Sequence, residues 1–168
     1  MKKPFYDKIL SFQRKLILIC ICLLPITTKA PTIKTDDCLE FKTKQQEVLY
    51  YLAAYELDSL WIAVFVTESG WNHDSYIATN YNNIMGMSSH KRPTQSGSYK
   101  SYAIYKSVQL AIYDVYLWEQ LNPRLDNESF FDYLKRRKYN PREEYYTYLK
   151  QINVHKYEQQ RFTIYPSE

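Results

Sequence analysis

The stretch Asp58-Ser59-Leu60-Trp61-Ile62-Ala63-Val64-Phe65-Val66-Thr67-Glu68-Ser69-Gly70 decides the fold. Asp58 can accept hydrogen bonds from the free amides of a first helical turn, and Gly70 suits the residue that follows a last one. Between them the run is apolar nearly all round, the pattern of a helix buried on every side. Such a helix needs others to cover it, so the chain reads as mainly α with this segment at its centre.

Working outward, Leu39, Val48, Tyr51, Leu52 and Tyr55 recur at 3–4 spacings and predict a helix over residues 37–56. On the far side, residues 71–98 hold no sustained period and contain most of the turn formers. Tyr99 to Tyr105 could make a short extended piece. Ser107 caps a helix that runs through Leu121 and is stopped by Asn122-Pro123, and Asn127 caps another to about Lys138. Asn140-Pro141-Arg142-Glu143 combines an N-cap, Pro at the first helical position and Glu at the third, opening a last helix to about Gln160. The expectation is five helices around one loop-rich segment, with at most a short β element.

Composition supports this and excludes other classes. The 168 residues include 18 Tyr and only 3 Gly, where average usage gives roughly 12 glycines. A Gly-rich phosphate loop, a dinucleotide fingerprint or a turn-rich all-β fold cannot be staffed. The net charge of +4 is an N-terminal feature. The first 30 residues hold six of the 22 basic and one of the 18 acidic side chains, so the remainder carries 16 against 17. No nucleic-acid footprint is implied.

That N-terminus reads as an export signal. A basic stretch ends at Arg14-Lys15, an apolar run follows from Leu16 to Ile26, and Thr28-Lys29-Ala30 offers small residues at the −3 and −1 positions of a cleavage site. The apolar run is short for a bilayer span of about 20 residues. Pro31 is awkward for a signal peptidase, which leaves an uncleaved N-terminal membrane anchor as the alternative. Residues 1–30 are thus signal or anchor, engaging the membrane during export, and 31–168 form a single exported domain in the periplasm or cell envelope. After cleavage Cys38 is the lone cysteine, so no intramolecular disulfide forms.

The chemistry lies at the end of the central helix. The Glu68 carboxyl emerges beside buried apolar side chains and near the negative end of a helix dipole, and both effects favour its protonated form. A carboxylic acid that holds its proton is what a glycosidase needs to protonate a leaving glycosidic oxygen.

Glu68-Ser69-Gly70-Trp71, then Ser75 and Asn80-Tyr81-Asn82-Asn83-Ile84-Met85-Gly86-Met87, resembles the signature of the bacterial glucosaminidase family, lysozyme-like hydrolases of peptidoglycan that include flagellar muramidases, autolysins and Bax-type proteins. Tyr102-Ala103-Ile104-Tyr105-Lys106-Ser107, the helix with Val108, Tyr113 and Tyr116-Leu117-Trp118, and the closing Tyr145-Tyr146-Thr147-Tyr148-Leu149 extend the likeness over roughly residues 45–152. Met85 stands where the family more often has Phe. The resemblance implies a lysozyme-like α+β domain acting on β-1,4 glycosidic bonds of the glycan strand, without a cofactor. It makes Glu68 the general acid. Asn83 would orient the loop or bind an acetamido group, and Trp71, Tyr81, Tyr102 and Tyr105 would contact substrate. Aromatic faces suit the C–H faces of sugars.

A second carboxylate is harder to place, since no Asp or Glu occurs from Ser75 to Tyr113. Three accounts stay open: Asp74 or Asp114 serves as base, the substrate's own 2-acetamido group is the nucleophile, or the chain only binds glycan. A lytic transglycosylase, which also needs one acid, is a further alternative. His73, His90 and His155 lack ligand spacing, so no metal site is implied. No Gly-x-Ser-x-Gly elbow supports a hydrolase triad. The basic loop His90-Lys91-Arg92-Pro93-Thr94 suits stem-peptide carboxylates as well as plain solvent, and Lys135-Arg136-Arg137-Lys138 suits the negative end of a helix.

Overall fold

Among the described residues, capping side chains set four of the seven helix starts. The computed structural model describes residues 41–161, which belong to one compact unit spanning 33–168. The export segment, Cys38 and the expected start of the first helix at residue 37 lie outside the described residues. Helix α1 (Lys44–Ala54) begins later than expected, because the Thr43 hydroxyl accepts from Gln46 N. Asp58 acts ahead of α2 (Trp61–Ser69). Its Oδ1 accepts from Leu60 N at 2.9 Å and its carbonyl from Trp61 N at 3.0 Å, so a tight turn leads into the helix. Gly70 ends α2 at φ 70°, as its place in the sequence predicts.

The loop-rich stretch contains a helix that the lack of periodicity hides. It is α3 (Tyr76–Tyr81), capped by the Ser75 hydroxyl on Ala78 N and closed by Asn82 in the left-handed region. Six residues are too few to show a period. The expected extended piece is the second half of an antiparallel hairpin, β1 (Gly97–Tyr99) with β2 (Tyr102–Ile104), in the register Tyr99 opposite Tyr102. Ser88 forms a further antiparallel bridge to Tyr102, outside β2's pairing with β1.

Helix α4 (Val108–Leu121) runs from the Ser107 cap to Asn122 as the sequence implies. Two later boundaries differ. Ser129, not Asn127, caps α5 (Phe130–Arg136): its hydroxyl accepts from Asp132 N and donates to Asp132 Oδ2 at 2.6 Å, while Asn127 sits at φ 63° in the preceding turn. Asn140 holds Arg142 N in a turn ahead of α6 (Glu143–Gln151) rather than capping it. The expected long last helix breaks at Ile152, whose backbone is extended, and resumes as α7 (Val154–Glu158) with a 3-10 turn at Gln159–Arg161. The break lets Tyr157 fold back onto Trp71, 4.4 Å between ring centroids. Among the described residues, seven α-helices and one small hairpin therefore stand where five helices were expected, and the fold is mainly α.

At the centre, five consecutive residues of α2, Trp61 to Phe65, are all buried, which a helix manages only when it is covered all round. The Trp61 ring meets Trp118 of α4, Phe130 of α5 and Tyr139 at 5.3–6.1 Å, and its Nε1 donates to Glu119 Oε1 at 2.9 Å. Phe65 meets Trp71. Many of the tyrosines are joints between helices: Tyr55, at the C-cap of α1, stacks on Tyr116 and packs at a tilt against Tyr113 of α4. Among the described residues no helix is long and apolar enough to cross a membrane.

The cap assignment is testable. Ser129→Ala should lower the unfolding free energy by about 1 kcal/mol in urea titrations; an unchanged midpoint would return the capping role to another residue.

Candidate active site at the end of the central helix

Glu68 lies in the last turn of α2, and its carboxyl rests on the backbone of Gly86. A Cβ added at Gly86 would sit 2.6 Å from Glu68 Cδ and nearer still to Oε2, in a residue already at φ 64°. Gly86 thus has two reasons to be glycine, the left-handed backbone and the side chain pressed against it. Burial raises the Glu68 pKa above its ordinary 4.5, opposed by the neighbouring Tyr145 hydroxyl, which favours the charged form. That hydroxyl is buried and is paired with no acceptor at hydrogen-bond geometry. Tyr139, with its own hydroxyl donating to the Met85 carbonyl, feels the Glu68 charge as well. Burial of Tyr145 and Tyr139 pushes both phenols well up, so they stay protonated and act as donors.

The loop beneath the carboxyl is built by its own amides. Ser69 Oγ donates to the Ile84 carbonyl at 2.6 Å. Fully buried Asn83 donates to the carbonyls of Met87 and Ala103 and accepts from Met87 N, each at 2.8 Å. Asn82 Nδ2 reaches the Tyr105 carbonyl at 3.0 Å, and Tyr105 N donates to the Tyr81 carbonyl at 2.9 Å. For Asn83 both amide hydrogens and the amide oxygen are paired, which offsets the cost of burying them. The Asn-Asn-Ile-Met-Gly segment is therefore clamped between α2 and the hairpin, with Gly86 presented to Glu68.

The other expected site residues divide. Asn83 orders the loop and has no amide hydrogen left for an acetamido group, so its substrate-binding role is corrected. Tyr105 is also corrected: it is 2% exposed and donates to Asp114 Oδ2 at 2.9 Å, inside the core. Trp71, partly exposed, packs between Phe65 and Tyr157 and fastens the C-terminal segment to α2. Tyr81 and Tyr102 do lie at the surface. Tyr81 joins Tyr76 and Tyr99 in a three-ring cluster with centroids 4.9–5.8 Å apart, and Tyr102 stands opposite Tyr99 in the hairpin. Tyr76, Tyr99 and the phenols Tyr139 and Tyr145 were missed. Tyr145 lies in the tyrosine-rich last-helix motif, but Tyr139 is reached only through contacts 54 residues apart in the chain.

Of the candidate second acids, Asp114 is fully buried and paired with Arg92 Nη1 at 2.8 Å, which commits it to holding the basic loop. Asp74 is exposed, with its carboxyl over Gly70. The influences on Glu68 are burial and Tyr145, with no other carboxyl among them. No protein-family model, curated protein or solved structure matches the chain.

If the Glu68 carboxyl and the Gly86 backbone occupy one another's space, the two positions are coupled. Gly86→Ala should destabilise the protein by roughly 2 kcal/mol or more, combining positive φ and overpacking. In a Glu68→Ala background the same change should cost at least about 1 kcal/mol less. Additive costs in denaturant unfolding would refute the contact.

Proposed function

We propose that this chain is an exported peptidoglycan hydrolase of the N-acetylglucosaminidase type, with Glu68 as general acid. The observation that carries the reading is the buried Glu68 carboxyl, held against Gly86 by the very motif that resembles the glucosaminidase signature. Exposed Tyr76 and Tyr102, with half-buried Tyr81 and Tyr99, add an aromatic surface suited to sugar C–H faces. The N-terminal sequence supports export to the periplasm or cell envelope.

In this mechanism the Glu68 O–H gives its proton to the glycosidic oxygen as the C1–O bond breaks. The acetamido oxygen of the same sugar closes on C1, and water then opens that ring while Glu68, now a carboxylate, takes a proton back. Substrate assistance is favoured over a protein nucleophile because Asp114 is locked to Arg92 and Tyr105. The Tyr145 hydroxyl would stabilise the carboxylate formed in the first step. One protein acid also fits a lytic transglycosylase, in which the muramic acid 6-hydroxyl takes the place of water.

Peptidoglycan incubated with the protein should release reducing ends. Glu68→Gln should cut the rate by about 10²–10⁴-fold, and the wild-type rate should fall as pH rises through the Glu68 pKa, because the ionised carboxyl has no proton to give. Anhydromuramic ends would assign the transglycosylase instead. Binding to sacculi with no release above the Glu68→Gln background would leave a glycan-binding scaffold.

A further inference from the structure

Two basic segments far apart in sequence meet beside the candidate active site. Lys91 and Arg92, with the side chain of Leu117, line a cavity of about 310 Å³, while Arg137 and Lys138 line another of about 180 Å³. Ser88, Arg92 and Trp118 border both, so the two form one depression with Trp118 in its wall. The smaller cavity is also bordered by Gly86 and Tyr139, the backbone and ring that face Glu68.

The charges in this depression are unequal. Asp114 is its carboxylate and is consumed by Arg92. Arg137 donates only to the Asn122 amide oxygen, and the ammonium groups of Lys91 and Lys138 have no carboxylate partner among the described residues. Three cations therefore converge without compensation. Both lysines sit at left-handed φ, 46° and 52°, a conformation uncommon for residues other than glycine and better suited to Asn or Gly. Pro93, Leu117 and Leu121 give the rim an aliphatic side.

We propose that this depression binds the peptide stems of the glycan strand, its cations taking the free carboxylates and its aliphatic rim the small apolar side chains. The inference rests on the glycan reading above and deepens it: the preferred substrate is a strand bearing uncapped peptides, docked so that its sugar backbone passes Gly86 and Glu68. A cationic wall next to a carboxylic acid recognises anionic peptide while leaving the acid to the sugar.

The test is binding by full-length Glu68→Gln protein, which does not consume ligand, to three soluble probes: a disaccharide-tetrapeptide, the same compound with its carboxylates amidated, and the bare disaccharide. The first should bind about three- to tenfold more tightly than either of the others, and the advantage should shrink as salt is raised above about 0.15 M. Lys91→Asn/Lys138→Asn, which removes the charges while suiting the left-handed backbone, should bring the ratio close to one. Equal affinity for free and amidated peptide, or a double variant that keeps the preference, would overturn the proposal. So would tighter retention on phosphatidylglycerol vesicles than on the peptide, which would make the depression a lipid surface. Because the readout is binding, a peptide preference in a chain that releases no reducing ends would sink the hydrolase reading alone, and reducing ends without a preference would sink this one alone.

Discussion

The structure turns on the seating of one carboxyl against one glycine. Glu68 belongs to a helix whose first five side chains are buried in the core, so its position is set by the packing of Trp61 to Phe65. Gly86 belongs to a loop whose position is set by Asn82, Asn83 and Ser69 through buried hydrogen bonds. Neither element can move without the other, because interiors packed at crystal density transmit small displacements. The result is an acid group fixed in a largely buried site beside the Tyr145 hydroxyl. That is poor placement for stability, since burying a carboxylate disfavours it. It is good placement for a group that must hold and then give up a proton.

The same contrast runs through the polar interior. Asn83 is fully satisfied and architectural, whereas the Tyr145 hydroxyl beside Glu68 and one oxygen of Asp114 at the cationic depression are buried and unpaired. Buried groups of this kind are rare in folded proteins. His73 Nδ1, Gln95 Oε1 and the Tyr133 hydroxyl are unpaired elsewhere among the described residues.

The fold was legible where caps and burial agree locally. Ser107 to Asn122 could be read directly, because apolar pattern and end residues mark the same boundaries, and Gly70 marks the end of α2; its start is Trp61 behind Leu60 rather than Asp58, whose carboxyl is used in the turn before the helix. Short elements were not: α3 is six residues long, and the hairpin partner Gly97–Tyr99 carries no alternation. Asn127 and Asn140 both looked like caps, but Asn serves equally well in left-handed and Asx turns, and tertiary packing chose those uses. At the site, Glu68 and Gly86 were legible as motif residues, while the reason for their pairing was not. Tyrosine is the clearest limit. Tyr105 and Tyr102 are three residues apart, one in the core and one at the surface, and only the hairpin register and the Asp114 contact separate them.

The central claim is that Glu68 is a carboxylic acid kept protonated by its seat. Its titration can be followed directly from the side-chain carboxyl carbon resonance by NMR, assigned by its loss in Glu68→Gln. The account predicts a midpoint above the ordinary 4.5. Folding would then take up a proton between 4.5 and that midpoint, and this group's contribution to stability would decline as pH rises through the interval. A midpoint at or below 4.5 would mean that the site favours the carboxylate, and Glu68 could not serve as the proton donor.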